Sequence, residues 1–198
     1  MAQDQKRDAI IEAAHKRFSH FGVGKTTMNE IAEDLSISKA SLYYYFPDKL
    51  NLYAAVLKKI IEAEKNNNQV HLKERNPLKA LLIFLDQRTE LIIKNHNILE
   101  YLRTIGTSFP EEFQAIFNFA RSRDIIEISM IIQKGIEAKI LKAKDIQQTA
   151  ELLVDCLVGL RHNAFSNRGN FFPTANEFYA LLKREKELAT IFIKGLGV

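Results

Sequence analysis

The stretch from Thr27 to Phe46 constrains this chain more than any other. Thr27 stands three residues before Glu30, so its hydroxyl can accept from a backbone N–H while the glutamate reaches back to the cap, the pattern of a capping box. Ile31, Ala32 and Leu35 then give a short helix one apolar face. Asp34-Leu35-Ser36-Ile37 is too polar and too poor in helix formers to continue it, and Ser38 can N-cap a second short helix. At about 100° per residue, Leu42 and Phe46 fall about 40° apart on that second helix and must both face a core. The opposite direction falls on Ala40 and Tyr44, with Ser41, Tyr43 and Tyr45 on the flanks and Lys39 projecting from the first turn. Three consecutive tyrosines cannot share a face, so at least two rings are carried near solvent. A small residue beside an aromatic, with donors on both flanks, suits a helix-turn-helix whose second helix lies in a DNA major groove. An ordinary short core helix with a tyrosine-rich edge would carry the same residues.

Length and composition bound the rest. A chain of 198 residues can be one domain, or a small one plus a larger one, and can bury a sizeable core. Hydrophobic residues at 46% and charged residues at 26% are ordinary for a globular protein. No run approaches the roughly 18 apolar residues of a membrane span, and the opening Met1-Ala2-Gln3-Asp4-Gln5 lacks a signal-peptide pattern. The single Cys156 excludes an intramolecular disulfide and fits a reducing compartment. A cytoplasmic protein without a membrane partner is expected.

The net charge of +4 and a pI near 9.1 invite a nucleic-acid partner. Residues 1–50, however, hold seven basic and seven acidic side chains, so the excess lies in residues 51–198. Only the placement of charge supports DNA binding: Lys25, Lys39 and Lys49 bracket the two short helices, where phosphates would run.

The remaining patterns are helical. Ile10, Ile11, Ala14, Phe18 and Phe21 predict a first helix from roughly Gln5 to His20, ended by Gly22 or Gly24. Asp48 can N-cap a longer helix driven by Leu50, Tyr53, Val56, Leu57, Ile60 and Ile61, which fades at Asn66-Asn67-Asn68. Further helices are expected from Asn76-Pro77 through Ile93, over Ile98 to Ile105 until Gly106-Thr107-Ser108, from Pro110 to about Ala138, and from Ile146 to Phe165. A loop containing Arg168 to Pro173 precedes a second capping box, Thr174 with Glu177, which opens the last helix to Gly195. No strand-like alternation or repeat is present. The expected fold is all-α, with about nine helices.

The first 60 or so residues resemble the TetR family of bacterial transcriptional repressors. The matching string runs from Arg7-Asp8-Ala9-Ile10-Ile11-Glu12-Ala13-Ala14 through Phe18, Phe21-Gly22, Thr26-Thr27-Met28 and Ile31-Ala32. It continues with Ser38-Lys39-Ala40-Ser41-Leu42-Tyr43-Tyr44-Tyr45-Phe46 to Lys49 and Leu52. The resemblance implies a three-helix DNA-binding headpiece over residues 1–48, extending to about 65 with the linking helix, and a helical ligand-binding and dimerisation domain over 49–198. It further implies a homodimer on a palindromic double-stranded operator, released by an unidentified small-molecule effector. Ser38, Lys39, Ala40, Ser41 and Tyr44 fall on the family's base-facing positions; Lys25, Thr26, Thr27, Asn29, Tyr43, Tyr45 and Lys49 fall on its phosphate-contacting ones. One departure concerns the turn, where the family usually has Gly and this chain has Ser36. Should that residue take positive φ, serine costs about 1 kcal/mol relative to glycine.

In such proteins the last two helices dimerise. Here Leu153, Leu157 and Leu160 lie beside the small Gly159, and the last helix, with Phe178, Leu182 and Phe192, is apolar on more than one side. These six residues are the expected interface. For the effector, polar Arg103, Asn118, Arg121 and His162 among the aromatics Phe84, Tyr101, Phe113 and Phe117 could line an apolar cavity. The five histidines show no metal-ligand spacing, and no nucleophile–base pair or phosphate-cradling glycine loop is legible. No catalytic residue, metal or cofactor is expected. Two alternatives stay open: a body that binds a protein partner, and a helical enzyme that has borrowed a helix-turn-helix.

Overall fold

The computed structural model describes residues 2–67, 70–105, 110–166 and 172–198, with side chains throughout except at residues 2, 64–67, 103–105 and 165–166. Among these are ten α-helices and one 3-10 helix. They are α1 (Ala2–Phe21), α2 (Met28–Asp34), α3 (Lys39–Tyr45), α4 (Lys49–Asn67), α5 (Val70–Lys73), α6 (Pro77–Lys94) and α7 (His96–Leu99), then the 3-10 helix (Glu100–Ile105), α8 (Glu111–Glu137), α9 (Ile146–Ser166) and α10 (Ala175–Gly195). The helix beyond the nine expected is the four-residue α5, too short to carry a periodic signal. The stop expected at Gly106 to Ser108, residue Asn68 of the junction and the loop from Arg168 to Phe171 lie outside the described residues. No described helix is long and apolar enough to cross a membrane.

The chain forms two compact units, 1–65 with 95–116 and 66–94 with 117–198. They are assembled from discontinuous segments. Tyr53 of α4 explains why residues 95–116 pack with the head. Its ring is fully buried among Phe18 (centroids 6.2 Å), Tyr101 (5.3 Å) and Phe113 (5.6 Å), and its hydroxyl donates to the Ile98 carbonyl at 2.8 Å. Burial pushes that hydroxyl well above the ordinary phenol range, so it remains a donor.

In the first unit α1 buries Ile10, Ile11, Ala14 and Phe18 on one stripe. Gly22 ends the helix at φ +80°, a left-handed conformation favouring glycine, and its N–H donates to the Phe18 carbonyl. Asp48 caps α4 as expected, accepting from the Asn51 N–H at 2.8 Å.

In the second unit α6, α8, α9 and α10 share a core built on Leu81, Leu85, Ile128, Ile132, Leu153 and Ala189. Thr174 and Glu177 form the expected capping box of α10. Gly135 is required by packing, because a Cβ there would stand 2.5 Å from Leu141 Cδ1. Polar ties join the helices around this core. Arg88 of α6 meets Asp124 of α8 at 3.0 Å, and Arg161 of α9 meets the buried Glu185 of α10 at 2.6 Å.

The buried His71 of α5 sits between Glu127 (Nε2 to Oε2, 2.7 Å) and Gln87 (Nδ1 to Oε1, 2.7 Å). Burial opposes ionisation of Glu127, but the close ion pair with His71, together with Arg123 at 3.2 Å, outweighs it and holds the carboxyl below its usual range. A depressed carboxyl pKa stabilises above the unfolded-state value and is lost as the pH falls. Glu127→Gln is therefore expected to cost about 1–2 kcal/mol near neutral pH. The deficit relative to the parent should shrink as urea titrations move below about pH 4.3. A deficit that grows on acidification would overturn the assignment.

Candidate nucleic-acid interface

Each of the two short helices is capped at its N-terminus by a side chain. Thr27 caps α2: its hydroxyl accepts from the Glu30 N–H at 3.3 Å, while Glu30 Oε2 accepts from the Thr27 N–H at 2.7 Å. The Thr27 backbone and hydroxyl hydrogen bonds hold the Glu30 carboxyl below its ordinary range, with a smaller contribution from Arg17. Arg17 also grips Asp34 through two donors at 2.5 and 2.9 Å, so one guanidinium pairs with two of the three acids of α2, Glu30 and Asp34. Ser38 caps α3 by accepting from the Ser41 N–H at 3.1 Å.

Between the helices, Ser36 adopts φ +51°. Its N–H donates to the Glu33 carbonyl and the Ile37 N–H to the Ala32 carbonyl, both at 3.0 Å, the paired bonds of a Schellman ending. The turn thus keeps the left-handed geometry that favours glycine, with serine in it.

On α3 the buried pair is Leu42 and Phe46, and the exposed one Ala40 and Tyr44, as the wheel predicts. Tyr44 is 73% exposed. Its hydroxyl accepts from Gln3 Nε2 at 3.3 Å, and its ring meets Tyr45 edge-on with centroids 5.3 Å apart. Lys39 carries its ammonium 5.8 Å from the Tyr43 ring centroid, and both side chains are exposed. Ser38 is exposed; Ser41 and Tyr45 are half-buried. Gln3 is a contributor that no motif indicates, since it meets α3 across 41 residues of sequence. Arg7, over the Phe46 ring at 5.1 Å, is another.

The expected phosphate-side residues divide. Lys25 and Asn29 are exposed. Thr26 is buried, and its hydroxyl donates to the Gly22 carbonyl at 2.9 Å. Lys49 turns inward: its ammonium donates to the carbonyls of Val23 (2.9 Å), Gly24 (3.3 Å) and Thr26 (3.0 Å), and lies 5.8 Å from the Tyr101 ring centroid. Three donors on three carbonyls use the whole hydrogen-bonding capacity of an ammonium. Spacing placed Lys49 beside the phosphates; packing makes it a clamp on the loop that leads into α2.

Of the eight residues expected to line an effector cavity, those described fall in both units. Tyr101 and Phe113 surround Tyr53 in the first unit. Phe84 is in the core of the second unit, with its ring centroid 5.5 Å from that of His71. Phe117 is half-buried there, while Asn118, Arg121 and His162 are exposed, Arg121 in an ion pair with Asp155 at 2.7 Å. The side chain of Arg103 lies outside the described residues. A groove of about 750 Å³ does run along α8 and the start of α9, and of the eight, among the described residues, its lining includes Arg121. Its apolar lining is Ile125, Ile126, Met130 and Ile146.

The expected interface residues lie partly in the core of the second unit. Leu153, Leu157, Phe178 and Leu182 are buried within the second unit, and Leu160 and Phe192 are half-buried. The large apolar side chains on solvent lie on the other faces of the same helices: Leu152 and Val158 on α9, Tyr179 and Ile191 on α10. When a helix has two apolar faces, periodicity does not say which one its own core takes. Among the described residues, no group of three His, Cys, Asp or Glu could hold a metal ion.

Residues 10–56 match the family model described as bacterial regulatory proteins, tetR family. The crystal structure of a transcriptional regulator from Cytophaga hutchinsonii is 31% identical; the match covers 98% of this chain and 99% of that one, with a TM-score of 0.84. The HTH-type transcriptional regulator RutR of Escherichia coli is 36% identical over 90 residues, 46% of this chain and 42% of that protein. The negative transcriptional regulator IcaR of the Staphylococcus aureus biofilm operon is 34% identical over 110 residues, 54% of this chain and 56% of that protein. The chain thus matches about half the length of these two curated relatives.

Ser36→Gly is expected to raise stability by about 1 kcal/mol, because it removes a side chain from a left-handed backbone. The urea midpoint reads this out, and an unchanged or lower midpoint would count against strain at the turn.

Proposed function

The chain belongs to the TetR family of bacterial regulatory proteins, and from that premise we propose that it is a sequence-specific DNA-binding transcriptional repressor, released from its operator by a small molecule. The observation that carries this reading is the outward face of α3. Leu42 and Phe46 are buried, so Ala40 and the 73%-exposed Tyr44 point the other way, with Lys39 and Ser38 in the first turn. A small residue lets the helix approach base edges, and an aromatic with a hydroxyl can both pack on a thymine methyl and hydrogen-bond. Residues 1–48 act as the reading head and 49–198 as the body. Lys25 and Asn29 contact phosphates, as do Tyr43 and Tyr45, while Thr26, Thr27 and Lys49 shape the loop and cap that carry them. The protein works in the cytoplasm.

A repressor of a palindromic operator works as a homodimer, its two α3 helices roughly 34–36 Å apart. The exposed Leu152, Val158, Tyr179 and Ile191 support a dimer through the outer faces of α9 and α10. The groove along α8 has a volume within the usual range for small-molecule sites and is the proposed effector site. A protein partner at the same groove is the second reading, favoured by the exposure of Ile126 and Met130.

The test uses a duplex enriched by the protein from a random pool and a scrambled duplex, titrated by fluorescence at several salt concentrations. Tyr44→Ala should weaken binding to the enriched duplex by about 1–3 kcal/mol per half-site and leave the scrambled duplex nearly untouched. Its salt dependence should persist, since the change removes a ring and a hydroxyl rather than a cation. Lys25→Ala should weaken both duplexes alike and flatten the slope of log K on log salt by about 0.9 per lost contact, roughly two units for a dimer. Equal losses on both duplexes for Tyr44→Ala would mean α3 is not the reading helix.

Ile191, 71% exposed, probes the interface without disturbing the core. Ile191→Asp should shift light scattering from dimer to monomer mass at micromolar concentration while the circular dichroism spectrum stays helical. A variant that remains dimeric would place the interface elsewhere.

A further inference from the structure

Lys49 clamps the loop between α1 and α2, and one side of its ammonium faces an aromatic ring from a distant part of the chain. That ring is Tyr101, on the 3-10 helix that follows α7. The ring also flanks the loop itself, since a Cβ on Gly24 would lie 3.9 Å from Tyr101 Cε2. The segment carrying Tyr101 is fixed by two further contacts within the same unit. Tyr53 donates its buried hydroxyl to the Ile98 carbonyl, and Asn97 Nδ2 donates to the Ser19 carbonyl at 2.8 Å.

We infer that Tyr101 is a positioning residue for DNA binding, acting through Lys49 on the loop that presents Lys25 and leads into the Thr27 cap. This rests on the DNA-binding reading above. The three carbonyls of Val23, Gly24 and Thr26 converge on one ammonium, which forces the loop's remaining groups outward, Lys25 among them. Such a convergence holds only while water does not compete for the ammonium. The ring supplies a negative face to the cation and shields that side of it from solvent. Without it, water replaces carbonyls, the loop gains alternative conformations, and the start of α2 loses its fixed approach. Conversely, any event that moves the 100–101 segment alters the loop through this one ring.

The experiment compares the full-length parent, Tyr101→Leu and Tyr101→Phe. Leucine keeps an apolar side chain but removes the π face, whereas phenylalanine keeps the face and removes only the hydroxyl. Amide hydrogen exchange is read at Thr26, whose N–H donates to the Gly22 carbonyl, and at core amides of α4. Affinity is read on the enriched duplex. Tyr101→Leu should speed exchange at Thr26 about tenfold, and at the α4 core amides, where Tyr101 packs on Tyr53, by a much smaller factor. It should also lower affinity about three- to tenfold with an unchanged salt slope. Tyr101→Phe should match the parent in both readouts. Parent-like Thr26 exchange in Tyr101→Leu would overturn the inference, as would an equal acceleration at Thr26 and in α4, which marks general destabilisation. A parent protein that enriches no duplex would refute the DNA-binding reading instead, and the exchange measurement would still decide the clamp.

Discussion

A seven-residue helix anchored by its buried Leu42 and by the buried Phe46 at its C-cap has no rotational freedom left. Once Leu42 and Phe46 are buried, Ala40 and Tyr44 must face away from the core, and the make-up of the exposed face of α3 follows from that rotation. Burial of the two anchors removes apolar area worth a few kcal/mol, far more than any exposed contact on α3 can supply. Capping by Ser38 fixes where the helix starts, and the Schellman ending at Ser36 fixes the angle at which it leaves α2. The exposed face is therefore placed by groups that are not on it.

The same division recurs in the loop before α2. Thr26, Thr27 and Lys49 are expected at a DNA backbone from the family resemblance, yet their polar atoms are engaged inside the protein, by the Gly22 carbonyl, Glu30 and three loop carbonyls respectively. An ammonium satisfied by three carbonyls does more for the shape of this loop than for its charge. The near-neutral sum over residues 1–50 is consistent with this economy of free cations, with Arg17 further occupied by Asp34 and Glu30. Lys25, Asn29, Lys39 and Tyr44 remain on the outside.

The second unit follows a different logic. Its helices share one aliphatic core, and charged pairs such as Arg161 with Glu185 and His71 with Glu127 tie neighbouring helices at its edges. Breaking one member of such a pair leaves a buried charge, so these ties specify which helix faces which more than they add net stability. The faces of α9 and α10 turned away from this core still carry Leu152, Val158 and Ile191, apolar area that a single chain leaves on water.

Sequence alone determined the parts governed by local chemistry. The capping boxes at Thr27 and Thr174, the caps at Ser38 and Asp48, the glycine stop at Gly22 and the rotation of α3 all depend on residues within one or two turns of each other. For that reason the all-α fold and the head of a DNA-binding regulator were legible from spacing. Tertiary structure decided whatever depends on partners far apart in the chain. Lys49 finds its carbonyls 23 to 26 residues upstream, Tyr53 recruits Ile98 and Tyr101 to the first unit, and Gln3 reaches Tyr44. It also chose which apolar face of α9 and α10 went inward, putting Leu153 and Phe178 in the core and Leu152 and Ile191 on solvent. Periodicity states that a face is apolar; only the packing of the other helices says what covers it.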